Sequence, residues 1–310
     1  MNGSGGSLER LLELKSVDTS FPTRRGEVKA VNNLDLELMR NERMALVGET
    51  GCGKSVLAQT ILRLLPGNAR VNGSINYRNK NILELDEEEL NRIRGREIGL
   101  VPQSLLSINP LMKIGNQIGE AIQPSNGKKL SNKVGKLLEA VGLDKSLSEK
   151  YPHQLSGGMK RRVLISMGIA CNPSLIIADE PTTGLDTIVK NRIMKLLENV
   201  TSEKSLLLIT HDIDVARTCE NIAVMYAGEI VERGSTREVL NDPHHPYTKA
   251  LLDSLPSRGL KPIKGSSPSL INPPRGCKFH PRCPHATEEC KIEHPELREN
   301  GRGVRCHAFS

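Results

Sequence analysis

Residues 48 to 55 read Gly48-Glu49-Thr50-Gly51-Cys52-Gly53-Lys54-Ser55, that is Gly, four residues, then Gly-Lys-Ser. Glycines at this spacing let the backbone curl until successive N–H groups face phosphate oxygens, while a Lys reaches the β and γ phosphates and a Ser hydroxyl holds Mg²⁺. The pattern carries this meaning only between a strand and a helix. Before it runs Met44-Ala45-Leu46-Val47, of buried-strand type; after it Leu57, Ile61, Leu64 and Leu65 recur at helical spacing until Pro66-Gly67. The context is met, and the stretch is expected to grip a nucleotide triphosphate, with the helix N-terminus adding positive potential.

Phosphoryl transfer to water also needs a divalent cation, a group that orients or deprotonates the water, and donors for the charge on the transferred group. The apolar run Leu175-Ile176-Ile177-Ala178 ends on Asp179-Glu180. A buried parallel strand presenting carboxylates at its C-terminal end is the expected form, since ligands bind there in open α/β sheets. Asp179 suits Mg²⁺, and the adjacent Glu180 suits the attacking water; a helix N-terminal acid pair is the other reading. His211, after the strand-like Leu206 to Ile209, is placed to contact the γ phosphate or to fix Glu180. Gln103, after Ile98 to Val101, offers an oxygen to the metal or the water. Phe21 is either a core or turn residue or a platform for an adenine ring, and spacing leaves both open.

The elements that must carry these groups alternate. Residues 8 to 47 read as strands, with Leu12, Leu14 and Val17, a turn region over Phe21 to Glu27, and Val28 to Leu38 leading to the loop. Gly73 to Tyr77 is β-like, and the acidic run Glu84 to Glu89 reads as a solvated helix face. From about 104 to 170 the pattern is helical, with Ser131 as an N-cap before Val134, Leu137, Leu138 and Val141, and a second helix after Leu155-Ser156-Gly157-Gly158 carrying Val163, Leu164, Met167 and Ile169. A helix with Val189, Ile193, Leu196, Leu197 and Val200 and the strand Ile222 to Met225, closed by Gly228, complete an alternation that argues a parallel sheet covered on both faces. Residues 256 to 276, rich in Pro, Gly, Ser and Lys, read as a linker or extended strap.

A chain of 310 residues holds one large or two modest domains and needs no disulfides for stability. No secretory signal opens it, and no apolar run approaches the roughly 18 to 20 residues that span a bilayer. Met1 to Ser7 reads as a flexible leader. The net charge is +7, but residues 257 to 310 hold ten Lys and Arg against five Asp and Glu, so most of the excess lies in that stretch and not along a groove. With no Trp, three Phe and four Tyr there is little surface for base stacking, and no nucleic-acid partner is expected. Cys52, Cys171 and Cys219 are scattered, whereas Cys277, Cys283, Cys290 and Cys306 crowd the C-terminus and read as metal ligands before disulfides.

Taken together these residues resemble the ATP-binding subunits of ABC transporters, over about residues 10 to 255. Gly48 to Ser55 corresponds to the Walker A motif, Gln103 to the Q-loop, Leu155 to Met159 to the signature, Leu175 to Asp179 to Walker B with Glu180 as catalytic glutamate, Gly184-Leu185-Asp186 to the D-loop, and His211 to the switch histidine. The resemblance implies an α/β fold, a RecA-like P-loop NTPase core over 8–103 and 171–240, with an inserted helical subdomain over 104–170 and a Cys-rich C-terminal extension over 241–310. It implies that Phe21 stacks the adenine and that Gly48, Glu49, Thr50, Gly51, Cys52, Gly53, Lys54, Ser55 and Val56 hold ATP. Ser156, Gly157, Gly158 and Met159 would close over the ATP of a second subunit. Mg²⁺ would be held by Ser55, Gln103 and Asp179, with Glu180, His211 and Gln103 in catalysis.

His245 to Leu252, Pro256 and the tail from Gly276-Cys277 look like the oligopeptide, dipeptide and nickel importer group. Some members of that group bind a 4Fe-4S cluster in such a tail, which Cys277, Cys283, Cys290 and Cys306 would ligate here. Tetrahedral Zn²⁺ with help from His280, His285, His294 or His307 is the competing ligand set, and spacing does not decide between them; empty, reduced thiols are a third reading. The expected activity is ATP hydrolysis coupled to uptake of peptides, nickel chelates or a related solute. The chain would be peripheral on the cytoplasmic face of the membrane, working with a second ATPase (homodimer or heterodimer), two transmembrane permease subunits and, indirectly, an extracytoplasmic solute-binding protein. An ABC-type ATPase of a soluble enzyme complex without a permease is the alternative. Arg161 stands where the family usually has Gln, and Gly184 where the group often has Ala.

Overall fold

A computed structural model describes residues 9–122, 127–299 and 302–309; the leader expected over Met1 to Ser7 lies outside them. The strands are β1 (Arg10–Thr23), β2 (Gly26–Met39), β3 (Arg43–Val47), β4 (Arg70–Tyr77), β5 (Lys80–Asn81) and β6 (Ile98–Val101). They continue with β7 (Leu175–Asp179), β8 (Ser205–Thr210), β9 (Asn221–Tyr226), β10 (Glu229–Ser235), β11 (Arg298–Glu299) and β12 (Gly303–Val304). The helices are α1 (Lys54–Ile61), α2 (Glu87–Ile93), α3 (Ile114–Ala121), α4 (Gly127–Ala140) and α5 (Gly157–Gly168). After these come α6 (Thr187–Val200), α7 (Ile213–Ala216), α8 (Thr236–Asn241), α9 (Pro246–Asp253) and α10 (Glu288–Ile292). The chain forms two compact units, one running up to Glu84 and resuming at Leu208, the other Leu85–Leu207.

In the first unit an antiparallel sheet runs in the order β2-β1-β4-β5. Leu11, Leu12, Leu14 and Val17 of β1 and Leu34, Leu36 and Leu38 of β2 are buried, each contributing about 1.5 to 3 kcal/mol of apolar burial. Elsewhere in that unit β3 lies parallel to β9, with Leu46 opposite Ala223. Residues 44–47 and 222–226 are buried throughout, which is why both read as unbroken apolar runs and not as alternating strands. Past β9 the pairing turns antiparallel, through β10 to β12 and then β11. The parallel sheet expected from alternation is thus only partial: Ala227-Gly228, both at positive φ, return the chain as a hairpin where a helical crossover would be needed to stay parallel.

In the second unit β6 and β7 pair in parallel, with Leu100 opposite Ile177. The end of α5 lies on β6 so closely that a Cβ on Gly99 would fall 2.0 Å from the Gly168 carbonyl oxygen. Helices α3, α4 and α5 pack on one another. Asp86, Ser156 and Asp186 cap α2, α5 and α6 by accepting first-turn N–H groups, and Glu87, Glu88 and Glu89 are exposed as a solvated face should be.

Three local expectations are corrected. Helix α1 stops at Ile61, a turn before Pro66, and Leu64 is 46% exposed. Ser131 does not cap α4 but lies a turn inside it, because the helix begins at Gly127. The turn after β1 is confined to Arg24-Arg25, so Phe21 belongs to the strand, opposite Val28. Residues 256 to 276 form a strap whose Leu270 carbonyl accepts Lys29 N–H at 2.9 Å, completing one of the hydrogen bonds that β2 leaves open.

Candidate nucleotide site and thiol cluster

In the first unit the loop from Gly48 joins β3 to α1, the strand–loop–helix order its motif requires. Gly53, at the N-cap of α1 with φ +110, accepts Leu57 N–H at 2.9 Å, and a Cβ there would lie 2.1 Å from the Ala30 carbonyl oxygen. Only glycine fits. The N–H groups of Lys54, Ser55 and Val56 belong to the first turn of α1 and have no acceptor within the helix. Lys54 Nζ lies over the loop, donating to the carbonyls of Gly48 at 2.7 Å and Glu49 at 3.0 Å. Phosphate oxygens would replace those carbonyls as acceptors. Thr50 and Gly51 are exposed, Cys52 is buried, and burial pushes the Cys52 thiol pKa up in spite of Lys54.

Glu49 behaves differently from the rest of the loop. Its N–H donates to Tyr247 Oη at 2.9 Å, and its carboxylate accepts two bonds from Arg282. Burial acts to raise the Glu49 pKa, but hydrogen bonds from Arg282 and Ser267 outweigh it and hold the carboxyl below its usual range. Phe21 is half-buried, outside the apolar core, and His211 is exposed just after β8.

In the second unit β7 is buried along its whole length and ends at Asp179; Glu180 follows, also buried, with φ +48. A non-glycine residue at positive φ costs of order 1 kcal/mol or more. Glu180 Oε2 accepts from Thr183 Oγ1 at 2.9 Å. Gln103 is exposed after β6. Its carbonyl and that of Pro102 accept from one nitrogen of the buried Arg161, at 2.9 and 3.0 Å. Ser156 Oγ accepts Met159 N–H at 3.3 Å, leaving Ser156 and Gly157 exposed at the start of α5. Arg161 stood out in the sequence only as a departure. Its hold on residues 102 and 103 needed the fold.

Among the described residues none of the seven cysteines forms a disulfide. Among the described residues no three His, Cys, Asp or Glu groups converge closely enough to hold one metal ion. Cys277, Cys283, Cys290 and Cys306 nevertheless line one cavity of about 340 Å³, with His280, His285 and His307. Burial pushes the Cys277 pKa up to about 11, and those of Cys283 and Cys306 upward, with the nearby Cys290 thiol adding to the effect at all three. Phe279, which also lines this cavity, is buried, edge-on to Tyr226 at 5.3 Å and to Tyr247 at 5.5 Å between ring centres.

Residues 31–183 match the family described as ABC transporter, and residues 231–290 the oligopeptide/dipeptide transporter C-terminal region. The dipeptide transport ATP-binding protein DppD of Bacillus subtilis is 38% identical, over 96% of this chain and 95% of its own length. The oligopeptide transport ATP-binding protein OppD of Escherichia coli is 39% identical, over 93% and 89%. Among solved structures, the ATP-binding cassette MJ0796, a dimer in a post-hydrolysis state with ADP and Pi, superposes with a TM-score of 0.67 at 28% identity, covering 73% of this chain and 99% of that one. CbiO1 of Clostridium perfringens, part of the transporter complex cbiONQ, gives 0.64 at 27% identity, over 76% and 92%. With the phosphate loop, the buried carboxylates and these matches in hand, the chain belongs to the ABC transporter ATP-binding family, with the C-terminal region of its oligopeptide/dipeptide group.

Proposed function

We propose that this chain is the ATP-hydrolysing subunit of a peptide importer. The observation that carries the reading is the phosphate loop on β3 and α1, with Lys54 Nζ resting on carbonyls that phosphate oxygens would replace. DppD and OppD are named for dipeptides and oligopeptides, which favours a peptide over a nickel chelate as solute. A RecA-like core over 8–103 and 171–240, a helical subdomain over 104–170 and an extension over 241–310 remain the domain reading.

Loop N–H groups and Lys54 bind the β and γ phosphates, and Phe21 stacks the adenine. Ser55, Asp179 and Gln103 would hold Mg²⁺, which when bound would supply positive charge to the phosphates. Glu180 takes a proton from water as the water attacks the γ phosphorus; the bond to the β-phosphate oxygen breaks and ADP leaves. His211 orients the γ phosphate. Ser156 to Met159 donate to the triphosphate held by a second subunit, so hydrolysis requires a dimer; the dimeric state of MJ0796 supports this. Closure drives two permease subunits, with a solute-binding protein on the far side, and the chain works peripherally on the cytoplasmic face. In the described residues no helix is long and apolar enough to cross a membrane.

For the tail, four thiols lining one cavity support a 4Fe-4S cluster, with Zn²⁺ as the alternative. A cubane binds its thiolates at four separate iron corners and keeps them further apart than one tetrahedral ion does. Affinity purification from the native membrane tests the transport reading. Recovery with a multispanning permease pair is expected; recovery only in a soluble enzyme complex overturns it.

A further inference from the structure

Three side chains from beyond residue 241 converge on Glu49, the second residue of the phosphate loop. Tyr247 Oη accepts its N–H at 2.9 Å, Arg282 donates to Oε2 and Oε1 at 2.9 and 3.0 Å, and Ser267 Oγ donates to Oε2 at 2.5 Å. The Arg282 side chain is only 5% exposed and that of Glu49 24%. The guanidinium is fixed on its other sides too. Its Nε donates to the Lys264 carbonyl at 3.0 Å, Nη1 reaches Tyr226 Oη at 3.3 Å, and the group lies 5.8 and 5.9 Å from the ring centres of Tyr226 and Phe279.

Phe279 and Arg282 occupy the short span between two cavity-lining thiols, Cys277 and Cys283. That span is tied to the rest of the tail at its start, where Cys277 N–H donates to the Cys290 carbonyl at 2.9 Å, and is closed by a local turn at its end, where Cys283 N–H donates to the His280 carbonyl at 3.3 Å. The backbone that aims Arg282 is therefore the backbone that carries the thiols. We propose that the Cys-rich segment is a brace on the phosphate loop, with Arg282 as a positioning residue that occupies Glu49, so that ATP affinity depends on the integrity of the four-thiol site. The proposal rests on the ATPase reading of the loop.

The reason for such a brace is electrostatic. Glu49 and Lys54 share one short loop, and Lys54 already sits on the Glu49 carbonyl. A Glu49 carboxylate released from Arg282 pairs with Lys54 Nζ and competes with the incoming phosphates, whose charge it also repels. Held by Arg282 it does neither, and the loop needs no reordering when nucleotide arrives.

The test uses the full chain and the Kd of Mg·ATP measured by titration calorimetry, with hydrogen exchange at amides 49–53 and thermal melting alongside. Arg282→Gln is expected to raise Kd about tenfold, equivalent to ~1.4 kcal/mol, with kcat at saturating ATP little changed and faster exchange in the loop. Arg282→Lys should recover part of the affinity. Adding Glu49→Gln to Arg282→Gln should recover most of it, because no carboxylate is left to compete. Cys283→Ser should raise Kd in the wild-type background and add nothing in the Arg282→Gln background.

Unchanged Kd in folded Arg282→Gln, or additive effects of Arg282→Gln and Cys283→Ser, overturns the brace. If Arg282→Gln does not fold, Glu49→Gln alone decides: loop exchange as slow as wild type removes the clamp. Lys54→Ala separates the two readings. Wild-type ATP affinity in that variant defeats the ATPase site itself, whereas lost affinity there with none lost in Arg282→Gln defeats only the brace.

Discussion

Replacing Arg161 by Met strips a buried cation, 3% exposed, from the middle of α5. One of its nitrogens donates to the carbonyls of Pro102 at 3.0 Å and Gln103 at 2.9 Å, while its Nε has no hydrogen-bond partner. Burial lowers the Arg161 pKa, and the carboxylates of Asp179 and Glu180 act to raise it. Two hydrogen bonds from a charged donor are worth roughly 1.5 to 3 kcal/mol each. Pro102 is half-buried and Gln103 exposed, so the lower end applies, and the loss is about 3 kcal/mol. Relief of the buried guanidinium and its orphaned Nε returns about 1 kcal/mol. The net expectation is a destabilisation of about 2 kcal/mol for Arg161→Met. Arg161→Gln, whose amide keeps one donor, should lose about 1 kcal/mol by the same reckoning. Urea unfolding of the full chain measures the total, and hydrogen exchange over residues 103–106 reads the local loosening. A change within about 0.5 kcal/mol of wild type, or a Gln variant less stable than the Met variant, refutes the donor argument.

Glu180→Gln should leave ATP binding intact and lower turnover by roughly 10² to 10⁴ fold, as loss of a general base does; near wild-type hydrolysis would remove Glu180 from that role. Anaerobic purification should yield visible absorption with iron and sulfide, whereas one zinc per chain without colour would exclude the cubane. His245 is fully buried, its Nδ1 accepts Tyr247 N–H at 3.0 Å, and burial together with the Arg305 guanidinium lowers its pKa to about 3. The unfolded chain takes up this proton below the ordinary value of 6.5 and the folded chain only near 3, so stability is complete above pH 6.5 and falls as pH drops through that interval. His245→Asn, which can still cap α9, should flatten stability against pH there, and an unaltered profile would show that other groups set it.

Chemistry and local order were legible in the residues themselves. A Gly-Lys-Ser spacing between an apolar run and a helical period, or an apolar run ending in Asp179-Glu180, requires only neighbours in sequence. So β3, α1 and β7, the helix after Leu155-Ser156-Gly157-Gly158 and the solvated acids of α2 could be read directly. Helix ends were read less well: α1 stops at Ile61 and α4 starts before Ser131, because side-chain period continues past the point where packing ends the helix. Sheet direction was also beyond reach, since the hairpin at Ala227-Gly228 and the pairing of β10 with Gly303-Val304 join segments whose apolar pattern is the same either way.

The tail shows the limit most plainly. Four cysteines at one end read as metal ligands, and tertiary structure was needed to put them around a common cavity, where among the described residues no three such groups converge on one ion. Nothing local links Arg282 to Glu49, 233 residues apart, for a bidentate ion pair has no period or motif, only geometry. Chemical identity travels with the residue, and so the sequence by itself determined a nucleotide loop and its family. Which carboxylate is silenced, and by which cation, depends on distance and burial, and those exist only once the chain has folded.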